Sequence, residues 1–117
     1  MEDKLDIFAN EIFSSLGPGF SERVYHNAFE VQLRLNNIMY ETERTIQIKF
    51  RDMVIGHIRA DLIVNNEIVV ELKVGTKVKQ DHIDQCNRYM KLLNIPKGMV
   101  ICFPDTKDML IDIVDLS

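Results

Sequence analysis

Two runs rich in β-branched residues, Met53–Val64 and Ile68–Val74, flank Asn65-Asn66 and constrain this chain more than any other stretch. Such residues favour strands, and asparagine tolerates the left-handed backbone of a tight turn, so the pair predicts a hairpin. Three ionisable residues interrupt these apolar strands: Asp61 in Arg59-Ala60-Asp61-Leu62-Ile63-Val64, and Glu71 and Lys73 in Val69-Val70-Glu71-Leu72-Lys73. Charged groups are rarely buried without partners, so they need an explanation. A plain two-residue turn would pair Val64 with Glu67 and turn Glu71 to the face opposite Asp61. One extra loop residue or a bulge instead pairs Val64 with Ile68 and Asp61 with Glu71. It also gathers Leu62, Val64, Ile68, Val70 and Leu72 on the other face. Core formation and the chemistry two neighbouring carboxylates could perform both favour this second register.

The remaining elements follow from periodicity and punctuation. Leu5, Ile7, Phe8, Ile12, Phe13 and Leu16 recur at helical steps, and Gly17-Pro18-Gly19 ends that helix. Ser21 is placed to cap a second helix whose apolar face carries Val24, Ala28, Val31 and Leu35 until Asn36-Asn37. Thr45–Phe50 reads as a strand joined to Met53–Val64 by Arg51-Asp52. After Gly75-Thr76 a third helix is expected from about Val78 to Asn94, with Pro96 at its exit. Gly98–Phe103 and Met109–Val114 complete the pattern as strands, separated by Pro104-Asp105. The order helix, helix, three strands, helix, two strands predicts an α/β or α+β layered fold with a mixed central sheet flanked by helices.

At 117 residues the chain fits one domain, residues 1–117. No apolar run approaches the ~20 residues of a membrane span, and the acidic start Met1-Glu2-Asp3-Lys4 is unlike a signal peptide, so a cytoplasmic location is the default expectation. Cys86 and Cys102 show no CxxC spacing and read as reduced interior residues. His82 and Cys86 share a helix face, but without a second clustered pair they make a poor zinc site. The net charge of −4 argues against a surface that grips polyanions everywhere. Its distribution is uneven: residues 73–97 hold six bases against Asp81 and Asp84, whereas residues 1–30 hold six acids against two bases. That basic segment could follow a phosphate backbone, or simply be a solvated helix face.

Two carboxylates brought together repel, and a divalent cation resolves the repulsion. Oxygen donors of this kind suit Mg²⁺ or Mn²⁺ rather than zinc or copper. A solvent-facing charge ladder is the plain alternative. The arrangement Asp61…Glu71-Leu72-Lys73 resembles the D…ExK signature of the PD-(D/E)xK nuclease superfamily. Gly17-Pro18-Gly19-Phe20-Ser21-Glu22-Arg23-Val24-Tyr25 resembles the opening motif of the related GxxExxY family, with Gly19, Glu22 and Tyr25 all matching. His82-Ile83-Asp84-Gln85 with Tyr89 is similar to later motifs of that group, and Gly98–Phe103 to its late strand. Gly75 and Pro104 depart from its usual pattern.

The resemblance implies a restriction-endonuclease-like core and a set of roles. Asp61, Glu71 and the carbonyl of Leu72 would bind Mg²⁺ or Mn²⁺. Lys73 would orient or deprotonate the attacking water and stabilise transition-state charge. Glu22 is the candidate additional carboxylate, or else compensates a helix dipole. Gln85 and Tyr89, four apart on one helix face, would hold Lys73 and the scissile phosphate, while Tyr25 packs in the core. Lys77, Lys79, His82 and Arg88 are the candidate nucleic-acid contacts, with a plain surface role the alternative for His82. The expected activity is metal-dependent phosphodiester hydrolysis, in DNA rather than RNA. The alternative is a catalytically silent module of the same fold that binds nucleic acid or a protein partner; a homo-oligomer or larger complex fits either. No base-reading helix or basic recognition arm is visible.

Overall fold

A computed structural model describes all of residues 1–117. The elements are α1 (Glu2–Leu16), α2 (Glu22–Leu35), β1 (Tyr40–Phe50), β2 (Met53–Val64), β3 (Ile68–Gly75), α3 (Gln80–Leu93), β4 (Lys97–Pro104) and β5 (Asp112–Leu116). One five-stranded sheet runs in the order β1-β2-β3-β4-β5. Its only parallel pair is β3 with β4, the two strands joined through α3, and the other neighbours are antiparallel. Parallel neighbours need a long crossover, and α3 supplies it. The α+β architecture with a mixed central sheet is therefore as the sequence predicts.

The helices cover opposite faces. Leu5, Phe8, Ala9 and Ile12 of α1 and Tyr25, Phe29 and Leu33 of α2 pack on Leu62, Val64, Ile68, Val70, Leu72, Met99, Ile101 and Phe103. Cys86, Tyr89 and Met90 of α3 pack on Ile63, Val69, Val100 and Cys102, with Ile46 and Ala60 in the same cluster. Gly98 lets α3 approach the sheet, since a Cβ there would meet Met90 Sδ at 2.5 Å and Cys86 Sγ at 2.8 Å.

Turn chemistry sets the registers. Arg51 and Asp52 both take positive φ, 49° and 64°, in a two-residue hairpin turn that pairs Phe50 with Met53. Asn65 and Asn66 take positive φ as well, and Glu67 adds a third loop residue whose N–H donates to the Val64 carbonyl at 2.9 Å. The pairs are thus Val64↔Ile68, Ile63↔Val69 and Leu62↔Val70, the register that the alternation of apolar residues favours.

Several details differ from the expectation. The buried stripe of α2 is Tyr25, Phe29 and Leu33, and Val24, Val31 and Leu35 face outward. Both stripes keep helical spacing, but the aromatic one buries more area, and the Tyr25 ring stacks on Phe103 with centroids 4.4 Å apart. β1 starts five residues early, at Tyr40 instead of Thr45, because β2 is long enough to pair Tyr40 with Val64. β5 is Asp112–Leu116 instead of Met109–Val114, leaving Leu110 89% exposed in the preceding loop. α3 starts at Gln80 rather than Val78, and the Val78 N–H is instead bonded to Asp112 Oδ2 at 2.8 Å.

Candidate active site

β2 and β3 part company just beyond Leu62 and Val70, the last pair of their ladder. Side chains take over the hydrogen bonding there: Leu72 N–H donates to Asp61 Oδ2 at 3.0 Å, and Asp61 N–H donates to Glu71 Oε1 at 3.4 Å. The sequence predicts that Asp61 and Glu71 meet, and these bonds bring them together. Glu71 is 2% exposed, whereas Asp61 and Lys73 are half-buried. Burial first, then the Asp61 carboxylate, pushes the Glu71 carboxyl up to about 10, with Lys73 pulling the other way. At neutral pH the Glu71 carboxyl thus retains its proton.

α3 closes the site from its side of the sheet. The Tyr89 phenol is raised by burial and then by the Glu71 and Asp61 carboxylates, while Arg88 and Gln85 oppose the shift. Tyr89 is therefore near the pair, with Gln85 beside Tyr89. Cys86 lies beneath it, pushed up to about 12 by burial and then by Glu71, with its thiol directed at the Val69 carbonyl at 3.7 Å. His82 accepts the Lys79 N–H on Nδ1 at 3.1 Å, so its ring serves the helix start. Lys79 and Glu22 both act on the Cys102 thiol, which is pushed up to about 11, chiefly by burial. Cys102 is the β4 partner of Lys73, so Lys79 and Glu22 stand at the same end of the sheet as Lys73. Lys77 and Arg88 are exposed, and His82 is half-buried.

On the opposite side a cleft of about 240 Å³ is lined by Glu22, Arg23, His26, Asp61 and Leu72. α2 supplies three of these residues because Tyr25, one position along the helix, anchors it: its ring is buried and its hydroxyl donates to the Gly17 carbonyl at 2.7 Å. The chain reaches α2 through Gly17 and Gly19, whose φ of 71° and 102° suit glycine. Glu22 is thus brought to the Asp61 side of the site, although no three His, Cys, Asp or Glu side chains converge tightly enough to enclose an ion. A larger hollow of about 530 Å³ is lined in part by Glu41 and Arg44, which neutralise each other at 2.8 Å. Its size alone gives it no comparable chemistry.

Arg23 and His26 were not foreseen. His26 is 5% exposed, and its Nε2 lies 3.0 Å from Glu30 Oε2 and 2.8 Å from Thr42 Oγ1. The His26–Glu30 spacing of four on a predicted helix is the signal that could have revealed it. Arg23 is paired with Glu43, which also holds Arg59 at 3.6 Å.

Residues 2–113 match the family model of the PD-(D/E)XK nuclease superfamily. The chain belongs to that superfamily. The crystal structure of SSO0001 is similar, with a TM-score of 0.60 and 27% identity over 82% of this chain. This chain spans 50% of the length of that one. No curated protein matches significantly. The mixed sheet with three helices is accordingly a restriction-endonuclease-like fold, and no helix is long and apolar enough to cross a membrane.

Proposed function

We propose that this member of the PD-(D/E)XK superfamily is a metal-dependent nuclease that hydrolyses phosphodiester bonds in DNA. One observation carries the reading: Glu71 is buried against Asp61 and held up to about 10. A carboxyl so placed destabilises the fold when ionised alone and becomes favourable once a divalent cation replaces its proton. The oxygen-only donor set of Asp61, Glu71 and the Leu72 carbonyl fits Mg²⁺ or Mn²⁺. Bound there, such a cation would supply Lewis-acid stabilisation of the phosphoryl oxygens and acidify the attacking water.

The chain's own residues have distinct tasks in this reading. Lys73 holds the attacking water and places its ammonium where charge develops as the P–O bond breaks. Gln85 and Tyr89 keep Lys73 and the phosphate in register from the α3 side. Glu22 contributes a further carboxylate across the cleft. Lys79 and Arg88 offer positive charge beside the site, with Lys77 and His82 as outlying phosphate contacts. The test is incubation with Mg²⁺ or Mn²⁺ and labelled single- and double-stranded DNA and RNA, beside Lys73→Ala. Metal-dependent cleavage of DNA that the variant lacks supports the proposal. Salt-sensitive binding without cleavage would replace it with a silent nucleic-acid-binding module.

A further inference from the structure

The β1–β2 hairpin outgrows the sheet that carries it. β2 pairs with β3 only over Leu62, Ile63 and Val64, whereas β1 and β2 stay paired out to Phe50↔Met53. From Arg44↔Ala60 outward the hairpin is therefore a two-stranded ribbon with no third strand. Its pairs alternate between faces. Ile46↔Ile58 turns inward, and Ile46 and Ala60 join the cluster under α3. Thr45↔Arg59 and Gln47↔His57 turn outward, and all four side chains are exposed.

Charge sets this ribbon apart. Residues 44–59 hold Arg44, Lys49, Arg51 and Arg59 against Asp52, a net +3, so with a total of −4 the rest of the chain carries −7. Arg44 is neutralised by Glu41, and Arg59 shares Glu43 with Arg23, but Lys49 and Arg51 enter no ion pair. The Arg51 guanidinium rests over the Phe50 ring at 5.5 Å, at a tip that also exposes Met53 and Ile55. In linear sequence these bases are scattered about a turn, and only strand pairing gathers them into an arm.

We propose that the outer face of this ribbon docks duplex DNA and delivers its backbone to the neighbouring cleft. The proposal rests on the nuclease reading of that cleft and adds how substrate is held. From Arg59 to Met53 the ribbon runs about 20 Å at ~3.3 Å per residue, the length of about six base-pair steps of B-DNA. A two-stranded ribbon fits the ~12 Å major groove of B-DNA, whereas the deep, narrow major groove of A-form RNA excludes it. Lys49, Arg51 and Arg59 meet phosphates, and Thr45, Gln47 and His57 offer hydrogen bonds to the groove. Glu43 links the two surfaces, because it binds both Arg59 on the ribbon and Arg23 on the cleft wall. Asp61 follows Arg59 by two residues on the same strand.

The test is fluorescence anisotropy of a labelled DNA duplex of two helical turns against the full chain in EDTA, over a salt series. Lys49→Gln with Arg51→Gln should make the log–log salt slope shallower by about 1.8, two phosphate contacts at ~0.9 each, and an RNA duplex should bind more weakly than DNA. Both positions are exposed, and circular dichroism verifies that the fold is kept. An unchanged slope, or equal binding of the RNA duplex, overturns the proposal. A dimer in sedimentation equilibrium that the tip substitution Phe50→Ser dissociates, with the salt slope unmoved, would assign the face to a second copy. Mn²⁺-dependent hydrolysis of bis(p-nitrophenyl) phosphate, a diester too small to reach the ribbon, reads the cleft separately. If it persists while the slope is unmoved, the ribbon proposal alone fails; if it is absent, the nuclease reading fails first.

Discussion

Replacing Glu71 by glutamine removes a group that the fold forces far from its ordinary range. The carboxyl titrates near 4.5 in the unfolded chain and is held up to about 10 in the native state, by burial and then by Asp61. Below the lower value both states carry the proton, so the position adds no pH dependence. Between the two values the native state keeps a proton that the unfolded chain has released. Stability therefore falls as pH rises, by about 1.4 kcal/mol per pH unit. From pH 5 to pH 8 that amounts to about 4 kcal/mol, a large part of the ~5–15 kcal/mol that holds a typical domain. Glutamine keeps the shape and the acceptor for the Asp61 N–H, which lies 3.4 Å away, without the titration. In EDTA, urea unfolding should show the wild type losing about 4 kcal/mol relative to Glu71→Gln between pH 5 and pH 8. Excess Mn²⁺ should then restore the wild type by about 2.7 kcal/mol at a hundredfold excess over Kd, and should help the variant much less. Parallel pH–stability curves for the two proteins would refute the reasoning.

Other positions separate chemistry from architecture. Lys73→Ala should lower kcat by about 10²–10⁴-fold in a single-turnover cleavage assay while leaving the Mn²⁺-dependent rise in stability intact. Tyr25→Phe removes the hydroxyl that donates to the Gly17 carbonyl at 2.7 Å but keeps the stack on Phe103. It should cost about 1 kcal/mol in urea unfolding with cleavage unchanged. Gly98→Ala drives a methyl to 2.5 Å from Met90 Sδ and 2.8 Å from Cys86 Sγ, and thermal unfolding should register a loss of about 1–3 kcal/mol.

The centre of the site was legible because a one-residue slip would have put an entire apolar set on the wrong face. That constraint brought Asp61 to Glu71, and the three-residue loop Asn65–Glu67 satisfies it. The α2 stripe was less legible, since Val24, Val31 and Leu35 keep helical spacing as well as Tyr25, Phe29 and Leu33 do. Periodicity cannot rank two stripes; the stacking of Tyr25 on Phe103 can, and it is a tertiary contact. β5 was misplaced because Met109, Leu110 and Ile111 are apolar residues of a loop, whereas pairing with β4 begins at Asp112. Glu22 was read as part of the site from a motif, but Arg23 and His26 reach the cleft only through the rotation of α2 that Tyr25 sets. The basic ribbon escaped notice for a similar reason, its cations being close in space through pairs such as Thr45↔Arg59.

The account depends on Asp61 and Glu71 acting together on a divalent cation. Electron paramagnetic resonance titration of Mn²⁺ into the metal-free chain tests this most directly. Saturable binding by the wild type and by Lys73→Ala, lost in Asp61→Asn, is the predicted result. Asp61→Asn that binds Mn²⁺ as tightly as the wild type would contradict it.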